Sequence, residues 1–121
     1  MLYTGVDIVE IKRVGKIIEE HPEFISRFFT EREGEYLYGK KLAVQHVAAG
    51  FAAKEAVSKC IGGLSGLRLK DIEIIRGGRP EVLLWGGARN KAGLLGIKSI
   101  SLSISHEDDY AVAFAAAEGD E

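Results

Sequence analysis

The sequence predicts an α+β domain with a mainly antiparallel sheet, and three observations predict it. The chain opens on a β-branched run, GVDIV. Its middle carries apolar residues at helical spacing, and its C-terminal half returns to alternating strands joined by tight turns. Strand, then helices, then strands is the order of an α+β chain.

Met1 to Val9 reads as the first strand. Ile11, Val14, Ile17 and Ile18 then recur at helical spacing, giving a helix from about Glu10 to Glu20. Pro22 ends it and opens a short helix through Phe28. Thr30-Glu31-Arg32-Glu33 is a capping-box pattern, a hydroxyl followed three residues later by a carboxylate, and starts a helix to about Lys40. The longest helix runs from about Leu42 to Ile61 and closes at Gly62-Gly63. Leu69 to Arg76 and Glu81 to Trp85 form a hairpin across Gly77-Gly78-Arg79-Pro80. Gly87 to Gly96 is a short helix or loop. Lys98 to Ser105, KSISLSIS, alternates strictly, and Tyr110 to Ala117 returns across His106-Glu107-Asp108-Asp109.

The 121 residues fit a single domain spanning 1–121. One cysteine, Cys60, cannot form an internal disulfide and fits a reducing cytoplasm. The N-terminus has no signal-peptide pattern, and no apolar run reaches the length of about 20 residues that a membrane helix needs. A net charge of −2 argues against general nucleic-acid binding. Lys12, Arg13, Lys16 and Arg27 nevertheless gather in the N-terminal quarter. They form either a solvated face or a patch for an acidic partner.

Two acids stand out of place. Asp7 interrupts the first strand, and Glu55 falls in the middle of the apolar stripe Val44, Val47, Ala48, Phe51 and Ala52 on the long helix. A bare buried carboxylate is costly, and two at one apolar site repel. A strand with a helix packed on it could bring them together around a hard cation such as Mg²⁺, which takes one or two carboxylates plus substrate phosphates. The plainer alternatives are an i,i+4 pair of Glu55 with Lys59, and Asp7 capping the following helix or pairing with a lysine. Lys59 shares the side of Glu55; Lys54 points about 100° away and must bend round or serve another surface. Arg79 at a hairpin tip and His106 at a strand end occupy places that often display functional groups. No zinc-type Cys/His cluster, phosphate-binding Gly-rich loop or nucleophile elbow is present.

GVDIVEIKR, FFTEREGEY, GFAAKEAVSK and SISLSISHEDDYAVAFA occur in that order. Together they resemble the bacterial holo-acyl-carrier-protein synthases, a family of 4′-phosphopantetheinyl transferases, across essentially the whole chain. The early G-x-D with the later F-x-x-K-E-x-x-x-K is the specific part. The resemblance implies a twisted antiparallel sheet packed on a long helix, assembled as a homotrimer with coenzyme A at subunit interfaces. It implies transfer of the phosphopantetheine arm to a serine of apo acyl carrier protein, in support of fatty acid biosynthesis. It implies Asp7 and Glu55 as ligands of Mg²⁺, or Mn²⁺ in its place, and Lys59 as a catalytic residue at the coenzyme A phosphates. Lys54, Arg79, Pro80 and His106 become further coenzyme A contacts, and Lys12, Arg13, Lys16 and Arg27 the docking surface for the acidic carrier protein. One departure stands out. Family members often carry arginine immediately before the phenylalanine, where this chain has Gly50, so a phosphate or nucleotide contact is either missing or supplied by another residue. A coenzyme A-binding module without transferase activity, a transferase for another carrier protein, and a structural trimer are the rival readings.

Overall fold

A computed structural model describes all residues 1–121. The elements in order are β1 (Leu2–Glu10), α1 (Ile11–Glu20), α2 (Phe24–Phe28), α3 (Glu31–Gly39), α4 (Val44–Cys60), a 3₁₀ turn (Leu69–Asp71), β2 (Ile72–Ile75), β3 (Glu81–Leu84), α5 (Gly86–Leu94), β4 (Ser101–His106) and β5 (Tyr110–Glu118). The α+β class and the antiparallel pairing are as expected, but the strands divide into two sheets. One is three-stranded in the order β1-β5-β4, and the other is the β2-β3 hairpin.

Small residues build the centre. Val47, Ala48, Ala49, Ala52, Ala53, Ala56 and Val57 of α4 are fully buried. The sheet offers them Ala111, Ala113, Ala115 and Ala117 of β5, one side chain every second residue. Alanine against alanine lets the helix axis come close to the sheet. At Gly5 the approach is tightest: a Cβ there would lie 2.0 Å from the Ala56 carbonyl oxygen. The two halves of the core, one toward β2 and α5 and the other toward α1–α3, both pack on α4.

Local signals account for most boundaries. The capping box forms in full: Thr30 Oγ1 accepts from the Glu33 N–H, and the Thr30 N–H donates 2.8 Å to Glu33 Oε1. Gly62 and Gly63, both at positive φ, turn the chain out of α4, where Gly63 N–H donates 2.7 Å to Ser58 O. Three boundaries differ from expectation. Lys41 and Leu42 adopt left-handed backbone, so α4 begins at Val44. Leu69–Asp71 forms a 3₁₀ turn instead of the start of β2, because the Asp71 carboxylate accepts from the Arg68 N–H and guanidinium. Lys98 to Ile100 stay outside β4, which begins at Ser101.

β1 also departs from the buried strand its composition suggests. Its inner side carries Tyr3, Gly5, Asp7 and Val9, while Val6 and Ile8 are 56% and 66% exposed on the outer side. Opposite them on β5 lie the exposed Phe114 and Val112, leaving an apolar outer sheet face bordered by the serines of β4. No helix is long and apolar enough to cross a membrane.

Candidate active site

Asp7 projects from the inner side of β1 because the strand alternates, and Glu55 lies one residue before Ala56, the point where α4 touches Gly5. Close backbone approach thus sets the two carboxylates at one cleft. Asp7, Ile8, Val9, Glu10, Arg13, Val14, Ile17, Phe24, Phe51 and Glu55 line a volume of about 380 Å³ between β1, α1, α2 and α4. Its floor is acidic and its walls are apolar. Phe24 and Phe51 of the wall pack with Phe28 in an aromatic cluster, with ring centroids 5.1–6.4 Å apart.

The electrostatics are those of two acids held together. Burial, and then the charge of Asp7, raise the Glu55 pKa; the nearby Lys59 cation partly offsets them. Lys59 Nζ donates 3.0 Å to Asp7 Oδ1 and 3.0 Å to the Val6 carbonyl, and makes no ion pair with Glu55. An ammonium carries three donors, so one of Lys59 remains for a ligand. Asp7 does not cap α1, whose first N–H donates to Asp109 O. Of the plainer alternatives, the Glu55–Lys59 pair and the Asp7 cap do not form, but Asp7 does pair with a lysine, Lys59, while Glu55 lines the same cleft without an ion pair.

Two carboxylates beside apolar walls form a hard oxygen donor set that fits a divalent cation completed by water and phosphate oxygens. No group of three or more His, Cys, Asp or Glu side chains forms a complete protein-only metal site. The chain by itself supplies an incomplete coordination shell, which suits a cation carried in with a phosphorylated substrate.

Other expected residues are distributed differently. Lys12, Arg13, Lys16 and Arg27 are exposed and form no ion pair, and Arg13 lines the cleft mouth. Arg79 and Pro80 sit at the β2-β3 hairpin tip, and His106 ends β4; none of the three lines the cleft.

Lys54 is a correction. It is fully buried, with its ammonium donating to Glu33 Oε1 and to the Ile72 carbonyl, so it is not available to coenzyme A. The other Glu33 oxygen accepts 3.0 Å from the Ile74 N–H. Lys54 thereby ties α4 to α3 and β2. Burial depresses its pKa, and the Glu33 charge and hydrogen bond counter that.

Sequence reasoning also missed Arg76 and His46. Arg76 Nη1 donates 2.7 Å to the His46 carbonyl, and its guanidinium covers the Tyr36 ring at 4.7 Å. The available signal was Gly50: a Cβ there would stand 3.0 Å from Arg76 Nη1.

Comparison with known proteins gives concordant results. Residues 3–115 match the family model of the 4′-phosphopantetheinyl transferase superfamily. A holo-[acyl-carrier-protein] synthase of Caldanaerobacter subterraneus subsp. tengcongensis is 49% identical over 123 residues, covering 99% of this chain and 97% of the relative. Among solved structures, a Plasmodium yoelii acyl carrier protein synthase with ADP bound superposes with a TM-score of 0.87 at 38% identity, covering 98% of this chain and 96% of that one. A Helicobacter pylori holo-[acyl-carrier-protein] synthase in complex with coenzyme A gives a TM-score of 0.81 at 31% identity, covering 95% and 99%.

Proposed function

From the premise that this chain belongs to the 4′-phosphopantetheinyl transferase superfamily and is an enzyme of that family, we propose that it converts apo acyl carrier protein to the holo form. It takes phosphopantetheine from coenzyme A and releases adenosine 3′,5′-bisphosphate. The observation that carries this reading is the Asp7–Glu55 pair at an apolar-walled cleft, with Lys59 on Asp7.

The carrier serine oxygen attacks the phosphorus that bears the pantetheine arm. A new P–O bond forms, and the bond to the bridging pyrophosphate oxygen breaks. Such a reaction needs positioning and charge stabilisation above all. Lys59, anchored by Asp7 and the Val6 carbonyl, directs its remaining N–H at a phosphate oxygen. The serine proton passes to a carboxylate oxygen of the site that the cation leaves free, or to water there. Phe51, Phe24 and Ile17 limit water at the reacting phosphorus. Asp7 and Glu55 would hold Mg²⁺, or Mn²⁺, which when bound supplies positive charge to the pyrophosphate and its leaving oxygen.

Arg13, Lys12, Lys16 and Arg27 make the approach to this cleft cationic, and an acidic carrier protein would be steered there. The preferred carrier is that of fatty acid synthesis, in the cytoplasm. The acting form is a homotrimer. The exposed outer face of Val6, Ile8, Val112 and Phe114 supports it, because a face of that kind calls for a covering surface. Arg79, Pro80 and His106 lie outside the cleft of their own copy, so coenzyme A at a subunit interface would meet them from a neighbour.

Intact mass of apo acyl carrier protein after incubation with this protein, coenzyme A and Mg²⁺ tests the reading. A phosphopantetheine mass gain that disappears with EDTA is expected. Absence of any gain overturns it.

A further inference from the structure

The β2-β3 hairpin stands apart from the three-stranded sheet. Its ladder runs only from Ile72↔Leu84 to Ile75↔Glu81, and no backbone hydrogen bond joins β3 to β4. A lone two-stranded hairpin is marginal in water. This one nevertheless projects Gly77, Gly78 and Arg79 into solvent at its tip, with Gly77 at a φ of 110°. The strands therefore need support from elsewhere in the fold.

The outer edge of β2 has no strand beside it. Two side chains meet its polar groups instead. Lys54 of α4 donates to the Ile72 carbonyl, and Glu33 Oε2 of α3 accepts 3.0 Å from the Ile74 N–H. Lys54 also donates to Glu33 Oε1, so the two side chains are joined to each other. A carbonyl and the N–H two residues on are the groups that one residue of a parallel neighbour would bond. The ion pair stands where that strand residue would be. Buried peptide groups need such partners, and Ile72 and Ile74 are 0% and 2% exposed.

A second carboxylate completes the hold. Glu73 Oε2 accepts from the Thr30 hydroxyl, and Glu73 Oε1 accepts 3.3 Å from the Trp85 indole N–H. Thr30 is the N-cap of α3 and Glu33 its third residue, so both acids meet one helical turn. Glu73 belongs to β2 and Trp85 follows β3, so both strands are tied to that turn. None of these residues lines the Asp7–Glu55 cleft.

We propose that the buried Lys54–Glu33 pair is a positioning device for coenzyme A binding: it replaces a missing strand along β2 and so fixes the hairpin whose tip presents Arg79 and Pro80. This rests on the transferase reading, in which coenzyme A meets that tip. Lys54 and Glu33 touch no substrate and act through Arg79. An ion pair buried for stability alone is replaceable, since apolar side chains of similar volume often take its place without loss. Apolar side chains cannot bond the Ile72 carbonyl or the Ile74 N–H, so they would fill the core and release the edge. The cleft is held separately, by the contact of Gly5 with Ala56 and by Lys59 on Asp7 and the Val6 carbonyl.

Wild type, Lys54→Met/Glu33→Met, Arg79→Ala and the triple variant form a cycle that tests this, with thermal midpoints and circular dichroism as folding controls. Arg79→Ala should raise the KM for coenzyme A about tenfold, the loss expected for hydrogen bonds to a charged group. The double variant should raise it about fivefold while its kcat and its KM for carrier protein hold. On top of Arg79→Ala the same two substitutions should add less than about twofold, because little is left at the tip to misplace. Equal effects in both backgrounds, no effect in either, or an unchanged KM in Arg79→Ala overturns the proposal. Lys54→Met/Glu33→Gln keeps one acceptor for the Thr30 and Ile74 N–H groups; it should show a smaller shift of the same kind and serves the cycle where the first pair melts too low. Hydrogen exchange reads the edge directly. The Ile74 amide should exchange faster in the double variant while the amides of the central strand β5 keep their protection. Unchanged protection at Ile74, or equal loss at β5, overturns the positioning role. Calorimetric titration of coenzyme A repeats the cycle without turnover. A wild type that binds coenzyme A and shows the coupling but transfers nothing would refute the transferase reading and leave the positioning role standing.

Discussion

Gly5 and Ala56 meet backbone to backbone: a Cβ on Gly5 would stand 2.0 Å from the Ala56 carbonyl oxygen and 2.6 Å from the Cys60 amide nitrogen. That contact seats α4 on β1 and sets Glu55 opposite Asp7, two residues along the strand. The glycine of the G-x-D pattern is thus part of the site's geometry although it carries no chemistry.

Gly5→Ala should therefore damage both the fold and the site. The helix must retreat from the strand, and overpacking of this kind costs about 1–3 kcal/mol or more. Urea unfolding should show a lower midpoint, and any folded fraction should have lost most transfer activity. Wild-type stability and turnover would show that the helix moves without consequence.

Asp7→Asn and Glu55→Gln should each reduce kcat by about 10²-fold or more, the scale for removing one preorganised charge-stabilising group. Both should still fold. Mass spectrometric rate measurements on apo carrier protein read the first effect, and circular dichroism the second.

The metal-free protein should carry a pH signature from Glu55. Its folded pKa is raised by burial and by Asp7 above the ordinary value of 4.5. A raised carboxylate pKa means that the folded form holds its proton more tightly than the unfolded chain does. That stability is fully present below the unfolded value and is lost as pH rises through the folded one. Without metal, wild type should lose thermal stability over that rise, while Glu55→Gln, which cannot ionise there, should not. At neutral pH with EDTA the Gln variant should melt higher. Parallel melting curves for the two proteins across this range would contradict the account.

Lys54→Ala should destabilise by about 3–5 kcal/mol, because it strands Glu33 as an uncompensated charge in the core. Pairing Lys54→Met with Glu33→Gln should recover part of that loss. Chemical denaturation of the single and double variants gives the coupling directly. A Lys54→Ala protein of normal stability but raised KM for coenzyme A would restore Lys54 to the binding site.

Arg13→Glu should raise the KM for acyl carrier protein about tenfold at low salt, leave the KM for coenzyme A unchanged, and flatten the salt dependence, since rim charges act mainly on encounter. Unchanged salt dependence would remove Arg13 from the docking surface.

Asp7 and Glu55 were legible in the sequence because charge inside an apolar pattern needs a reason, and the capping box was legible because its two bonds are local. Lys54 was harder. The helical wheel turned it away from Glu55, but only tertiary structure shows Glu33 serving both as the α3 cap and as the buried partner of Lys54. Val6 and Ile8 look like core residues in sequence, since β-branched composition does not say which face of a strand the chain itself covers. The 3₁₀ turn at Leu69–Asp71 depends on one side-chain cap within a segment that alternates like a strand. Arg76 was hidden because its importance comes from the absence of a side chain at Gly50, 26 residues earlier in sequence.

The affinity of coenzyme A by calorimetry, with Mg²⁺ and with EDTA, in wild type and in the Asp7→Asn/Glu55→Gln double variant, tests the central claim most directly. That claim is that the strand acid and the helix acid together hold the cation that meets the pyrophosphate. Wild type should bind coenzyme A at least about tenfold more tightly with Mg²⁺, a difference of roughly 1.4 kcal/mol, and the double variant should be indifferent to the metal. A Mg²⁺ enhancement that survives in the double variant, or that wild type lacks, would contradict it.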